Sequence, residues 1–182
     1  EIDSIEHDTV NGGYNSLVMI DATHFILAYT GADNGGFIKT FSIDGSYDNI
    51  TQIDSLEHDA AYVFYSSLVM IDATHFILAY AGDGGFIKTF SIDGSYNITE
   101  IDSIEHDTVN GGYNSLVMID ATHFILAYTG ADNDGFIKTF SVEEPITSSI
   151  KSINGVAIAD IKSINGVVIG DIKQFNGVSN VS

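Results

Sequence analysis

The chain has 182 residues, 45% of them apolar, and carries 25 acidic side chains against six lysines, for a formal net charge of −19. Phosphate recognition relies on Lys and Arg, so this balance excludes nucleic acid as an expected partner and argues against docking on anionic lipid. With no cysteine, disulfides, thiolate catalysis and cysteine-ligated zinc are excluded as well.

Three near-copies of one unit follow each other, at residues 1–51, 52–99 and 100–147, and a different repeat occupies 148–182. Glu1 to Asn34 is identical to Glu100 to Asn133. The second unit diverges mainly at residues 60–64 (AAYVF against TVNGG) and in a shorter loop at Gly82–Gly85. The first residue is Glu1 rather than methionine, which suggests a processed product or a fragment of a longer array.

In chain order the first unit predicts strands at Ser16–Ile20 (SLVMI), His24–Thr30 (HFILAYT), Phe37–Ile43 (FIKTFSI) and Ile50–His58 (ITQIDSLEH). The segments are β-branched and aromatic, and breakers separate them: Asp21-Ala22-Thr23, Gly31 to Gly36, and Asp44-Gly45-Ser46. No apolar segment between breakers is long enough for a core helix, and none approaches the ~18 residues of a membrane-spanning helix. Charge rises along the unit. The first two strands have none, the third has Lys39, and the fourth ends on Asp54, Glu57 and Asp59. Such a gradient suits a sheet whose first strand is innermost and whose last is an exposed, charged edge. Leu17, Met19, Phe25, Leu27, Phe41 and their copies are the expected core.

SLVMIDATHFILAY, the Gly/Asp turn after it and GFIKTFSID together resemble tandem β-propeller blade repeats, over Glu1 to about Thr147. The resemblance implies an all-β fold, half of a β-propeller with three four-stranded blades plus a short β-rich repeat tail. A β-trefoil is the alternative, since it too has three four-stranded units and closes within one chain. Propellers usually have four to eight blades. Three blades therefore imply self-association, with a homodimer completing a six-bladed ring, or else further blades supplied by a longer parent protein. The segment Ile2–His7 reads as an outer strand that can complete the third unit, and Ile146–Ile153 is a second candidate for that role.

From Ile150 the period becomes 11 (IKSINGVAIAD, IKSINGVVIGD, IKQFNGVSN), with Asn-Gly at 154–155, 165–166 and 176–177. Asn-Gly between apolar residues predicts hairpins, because both residues tolerate positive φ. The tail resembles INGV-type repeats of phage and environmental structural proteins.

Two sets of histidines recur. His7, His58 and His106 lie in Glu-His-Asp, where strand alternation is expected to keep the three side chains from converging on a metal. His24, His75 and His123 follow Asp-Ala-Thr at a tight turn, and are expected to bond within the turn or to the next blade, with ligand binding as the other role. The loop of Asp132 and Asp134, and Asp33 in the first unit, carries oxygen ligands before glycine as calcium loops do, so Ca2+ is the one cofactor considered. Ordinary turn use of Asp and Asn is the favoured reading there. Ser, His and Asp occur only as repeated copies, without the single asymmetric constellation of a catalytic triad, and no enzyme is expected. The expected function is a non-catalytic structural or assembly module, extracellular or on a virion surface. A multivalent lectin-like module with a glycan partner is the alternative.

Overall fold

A computed structural model describes residues 1–60 and 62–142, together with the backbone of six two-residue strands between 152 and 179. Two compact units are present, Glu1–Ser141 and Val142–Ser182.

In the first unit, β1 (Gly13–Met19), β2 (His24–Thr30), β3 (Gly36–Ile43) and β4 (Ile50–Asp59) form one antiparallel sheet in the order β1-β2-β3-β4. β5 (Phe64–Met70), β6 (His75–Ala81), β7 (Gly85–Ile92) and β8 (Ile98–Asp107) form a second with the same order. β9 (Gly112–Met118), β10 (His123–Thr129) and β11 (Gly135–Ser141) form a third with three strands among the described residues. Among the described residues, strands pair only with their chain neighbours, and the fourth strand of each complete sheet runs across the boundary into the next repeat. That is stacked-sheet architecture, and it sets the trefoil aside. The first strands of successive sheets approach each other, β1 beside β5 and β5 beside β9, so SLVMI takes the inner edge as the charge gradient implies. The segment Ile2–His7, expected as a strand, pairs with no strand among the described residues.

Every sheet is apolar on both faces, and both faces therefore need a cover. Ile26, Ala28 and Ile38 of the first sheet pack on Phe76, Leu78, Tyr80 and Phe90 of the second. Alternation puts Ile77, Ala79 and Ile87 on the far face of the second sheet, and all three are buried toward the third. Phe124, Leu126 and Tyr128 of the third sheet are likewise buried. At the two ends the covers run out. Ile137 is 76% exposed, while its counterparts Ile38 and Ile87 are 0% and 2%. Leu17 and Met19, expected in the core, are 64% and 52% exposed. The reason is positional. Leu68, the copy of Leu17, is buried because the first sheet lies against it, and among the described residues no sheet lies against the corresponding face of the first.

Unit two's divergence has a packing reason. Val63, fully buried, donates its N–H to the Asn34 carbonyl at 2.9 Å and accepts the Thr30 hydroxyl on its own carbonyl. In unit three Gly111 stands there instead, packed directly against the Cα of Gly85.

In the C-terminal unit, Ser152–Ile153 pairs antiparallel with Val156–Ala157, Ser163–Ile164 with Val167–Val168, and Gln174–Phe175 with Val178–Ser179. Two residues separate the strands of each pair, and those Asn-Gly residues, like residues 146–151, lie outside the described ones.

Leu78→Ala should cost about 2–5 kcal/mol in urea unfolding, because the side chain is fully buried between two sheets. Leu17→Ala, the same change at a copy of the motif uncovered in the single chain, should stay within about 0.5 kcal/mol at concentrations where the chain is monomeric.

Candidate functional site

Each Glu-His-Asp segment reaches onto the sheet that follows it. Between β3 and β4 the register moves from Gly36↔Asp59 to Phe37↔Glu57, so His58 is the extra residue of a β-bulge; His106 is the extra residue between β7 and β8. A bulge breaks the alternation expected from sequence, and lets two consecutive side chains address one neighbour. Asp59 accepts the Tyr80 hydroxyl at 2.9 Å, and the His58 ring meets the same tyrosine edge-on at 4.9 Å. The His58 carbonyl accepts Lys88 at 2.6 Å. The same set recurs as Asp107 and His106 on Tyr128, with Lys138 on the His106 carbonyl. It recurs again in residues 1–12, where Asp8 accepts Tyr29 at 2.9 Å, the His7 ring lies 4.6 Å from that tyrosine, and Lys39 bonds the His7 carbonyl. Five residues upstream of the first two of these aspartates in chain order, Asp3 and Asp54 accept the backbone N–H of Ile50 and Ile98 at 2.9 and 2.8 Å. This latch ties each sheet to the next.

The latch histidines fill notches left by glycine. A Cβ on Gly36 would lie 2.4 Å from the His58 ring, and one on Gly85 2.4 Å from the His106 ring. Both nitrogens of His58 and of His106 are buried without a hydrogen-bond partner. Burial, reinforced by Lys88, pushes the His58 pKa down to about 3 against the pull of Asp59. Burial and Lys138 push His106 down to about 4 against Asp107. These rings are neutral packing elements at neutral pH. Burial first, and then the paired aspartate, raise the Tyr29 and Tyr80 hydroxyls above the ordinary tyrosine value, so both stay protonated as donors.

The second set of histidines is held in Asp-Ala-Thr-His turns. His24, His75 and His123 each place Nδ1 2.9–3.0 Å from a carboxylate oxygen of Asp21, Asp72 and Asp120, and about the same distance from the threonine hydroxyl between them. Asp21 also accepts the Thr23 and His24 N–H groups at 2.8 and 2.9 Å. Donors from Thr122 and His123 hold Asp120 down at about 2. His24 has one further partner. Tyr96, from the turn after β7, stacks on it at 3.7 Å and 13°, and donates its hydroxyl to Asp21 at 2.9 Å. The histidine's hydrogen bonds thus stay within its turn, and the bond to the next sheet is made by the aspartate beside it.

A row of tyrosines was not legible in the sequence. Tyr14, Tyr65 and Tyr113 sit in left-handed conformation, φ 52°, 56° and 52°, where β1, β5 and β9 shift register. Tyr14 meets Tyr65 edge-on at 4.9 Å, and Tyr65 stacks on Tyr113 at 4.1 Å. Left-handed tyrosine is costly, and such strain is typical of places where a side chain has to be aimed. Tyr113 remains 68% exposed. Beside the row, Asn114 donates to the Tyr65 carbonyl at 3.2 Å, while its Oδ1 and the Ser66 hydroxyl are buried and unpartnered.

Asp33 and Asp132 lie in one-turn 3-10 helices, Ala32–Asn34 and Ala131–Asn133, at φ 52° and 56°. They and Asp134 are exposed, and Asp134 closes its turn by donating its N–H to the Ala131 carbonyl at 3.0 Å. Among the described residues no three His, Asp or Glu side chains gather around one point.

The latch makes stability acid-sensitive with a definite sign. A histidine whose pKa falls from 6.5 to about 3 or 4 on folding adds stability in full above 6.5, and loses it as pH falls toward the folded value. Urea unfolding should show stability declining between about pH 6.5 and 4, with a shallower slope in His58→Phe/His106→Phe. Gly36→Ala should cost about 1–3 kcal/mol by forcing the ring out, whereas Gly45→Ala, in open space, should cost little.

No family model and no curated protein matches the chain. Among solved structures, the periplasmic gluconolactonase of Pseudomonas aeruginosa is similar, with a TM-score of 0.55 at 17% identity over 71% of this chain and 39% of that one. An α-L-arabinofuranosidase from Lactobacillus brevis aligns over 74% of this chain and 50% of its own, at 10% identity and a TM-score of 0.48. The chain thus spans half or less of either neighbour's length. At these identities the likeness concerns fold alone, and with the three stacked sheets it shows that residues 13–141 are blades of a partial β-propeller.

Proposed function

We propose that the chain is a non-catalytic structural module that self-associates through its end blades, within an extracellular or virion-borne object. One observation carries this reading: the described residues leave complementary apolar surface open at both ends of the stack, around Leu17 and Met19 on the first blade and around Val117, Ile119 and Ile137 on the third. The face of the third blade with Val117, Ile119 and Ile137 is what the first two blades bury against a following blade. The face of the first blade with Leu17 and Met19 is what the second and third turn toward a preceding one. Apolar surface in register with its own complement favours head-to-tail contact, and two such contacts would close six blades with two-fold symmetry. The net charge of −19 opposes unspecific clumping.

A glycan-binding reading is favoured by the tyrosine row alone. An exposed aromatic face suits stacking against a sugar ring.

Sedimentation equilibrium at micromolar concentration should give twice the chain mass of 19.5 kDa. A stable monomer would remove the assembly reading. A glycan array with signal abolished by Tyr113→Ala would move the lectin reading to first place.

A further inference from the structure

We infer that two copies of the chain join by strand complementation, residues 2–8 of one copy forming the fourth strand of the third blade of the other, with His7 seated against Gly135. The inference rests on the self-association reading above, and adds to it the surface and the register.

Residues 2–8 read IDSIEHD, identical to 101–107 and different from 53–59 only in Ile5 for Leu56. They already lie on the first blade as the outer strand of a preceding blade would. Asp8, His7 and Asp3 engage Tyr29, Lys39 and Ile50 as Asp59, His58 and Asp54 engage Tyr80, Lys88 and Ile98. Yet the segment pairs with no strand among the described residues.

The third blade has the reciprocal vacancy. β11 has the sequence of β3 and β7, GFIKTFS, and among the described residues no strand on its outer side. Its glycine shows what is missing. Gly36 and Gly85 are each filled by a latch histidine of the fourth strand, whereas a Cβ on Gly135 would meet nothing within 4 Å among the described residues. The register of β7 with β8 transfers directly. Phe86↔Glu105, Ile87↔Ile104 and Lys88↔Ser103 become Phe136↔Glu6, Ile137↔Ile5 and Lys138↔Ser4. The second blade lies between the first and third, so one chain's segment does not reach its own β11, and a second copy is the occupant.

A separate contact falls into place on the same joint. Tyr96 stacks on His24 and bonds Asp21 where the first blade meets the second. Its counterpart Tyr47 holds the same left-handed conformation, φ 62° against 63°, with its ring 60% exposed. His123 and Asp120, the counterparts of His24 and Asp21, are exposed on the third blade. The joint brings Tyr47 of one copy onto His123 of the other.

The chain has no cysteine, so a cross-link can be placed at will. Ile5→Cys and Ile137→Cys chains, mixed and mildly oxidised, should give a disulfide-linked heterodimer, while neither variant alone links to itself. Gly135→Val fills open space in a single copy, and should leave the melt unchanged at concentrations where the chain is monomeric while weakening association at least tenfold. Ile137→Lys should behave in the same way. If the wild-type chain dimerises but the mixed cross-link fails, or both variants dimerise normally, copies meet through another surface. The inference then falls and the self-association reading stands. A wild-type monomer overturns both. In a chain carrying both Ile5→Cys and Ile137→Cys, a disulfide closed within one molecule also overturns the inference, because it shows that the segment completes its own blade.

Discussion

A histidine ring packed into the space of a missing side chain holds successive blades in place. His58 over Gly36 and His106 over Gly85 are the points at which an outer strand stops belonging to its own sheet and begins to cover the next. The ring is chosen for shape. It meets a buried tyrosine edge-on and leaves both nitrogens without a partner. A buried polar atom without a hydrogen bond costs roughly 1–3 kcal/mol, so the contact persists because the aspartate beside it compensates. Asp59 and Asp107 each take the tyrosine hydroxyl, and the histidine carbonyl takes the one lysine of each unit. Four neighbouring groups thus fix the spacing and angle between two sheets that otherwise touch mainly through apolar side chains.

Much of the architecture was legible because the repeat displays it three times. Strand positions follow from β-branched runs and Asp/Gly breakers, and HFILAYT, apolar almost throughout, could only be a strand covered on both sides. The inner position of SLVMI followed from the rise of charge toward Asp59. What periodicity could not show was the bulge. Strict alternation separates His58 from Asp59, whereas the register shift after Gly36 turns both toward Tyr80. The left-handed tyrosines were equally hidden, since nothing in a tyrosine codes for positive φ.

The exposed Leu17 and Met19 teach a different lesson. They sit in the same SLVMIDATHFILAY run as Leu68 and Met70, yet their burial differs, because burial in a stack belongs to the neighbour as much as to the residue. Identical repeats therefore fix the middle of an array and leave its ends dependent on what comes next. The same logic separates Gly135, in open space, from Gly36 and Gly85, and Tyr47, uncovered, from Tyr96. These inequalities between copies carry the functional information, while the conformity of the copies carries the fold.

The account stands on the latch histidines being buried, uncharged packing elements, and NMR titration of the imidazole rings tests that most directly. With signals assigned by His58→Phe and His106→Phe, the rings of His58 and His106 should remain neutral far below pH 6.5, taking up protons only at about 3 and about 4. Titration of both near 6.5 would place the rings in water, and would contradict a stack held together by histidine in the glycine notch.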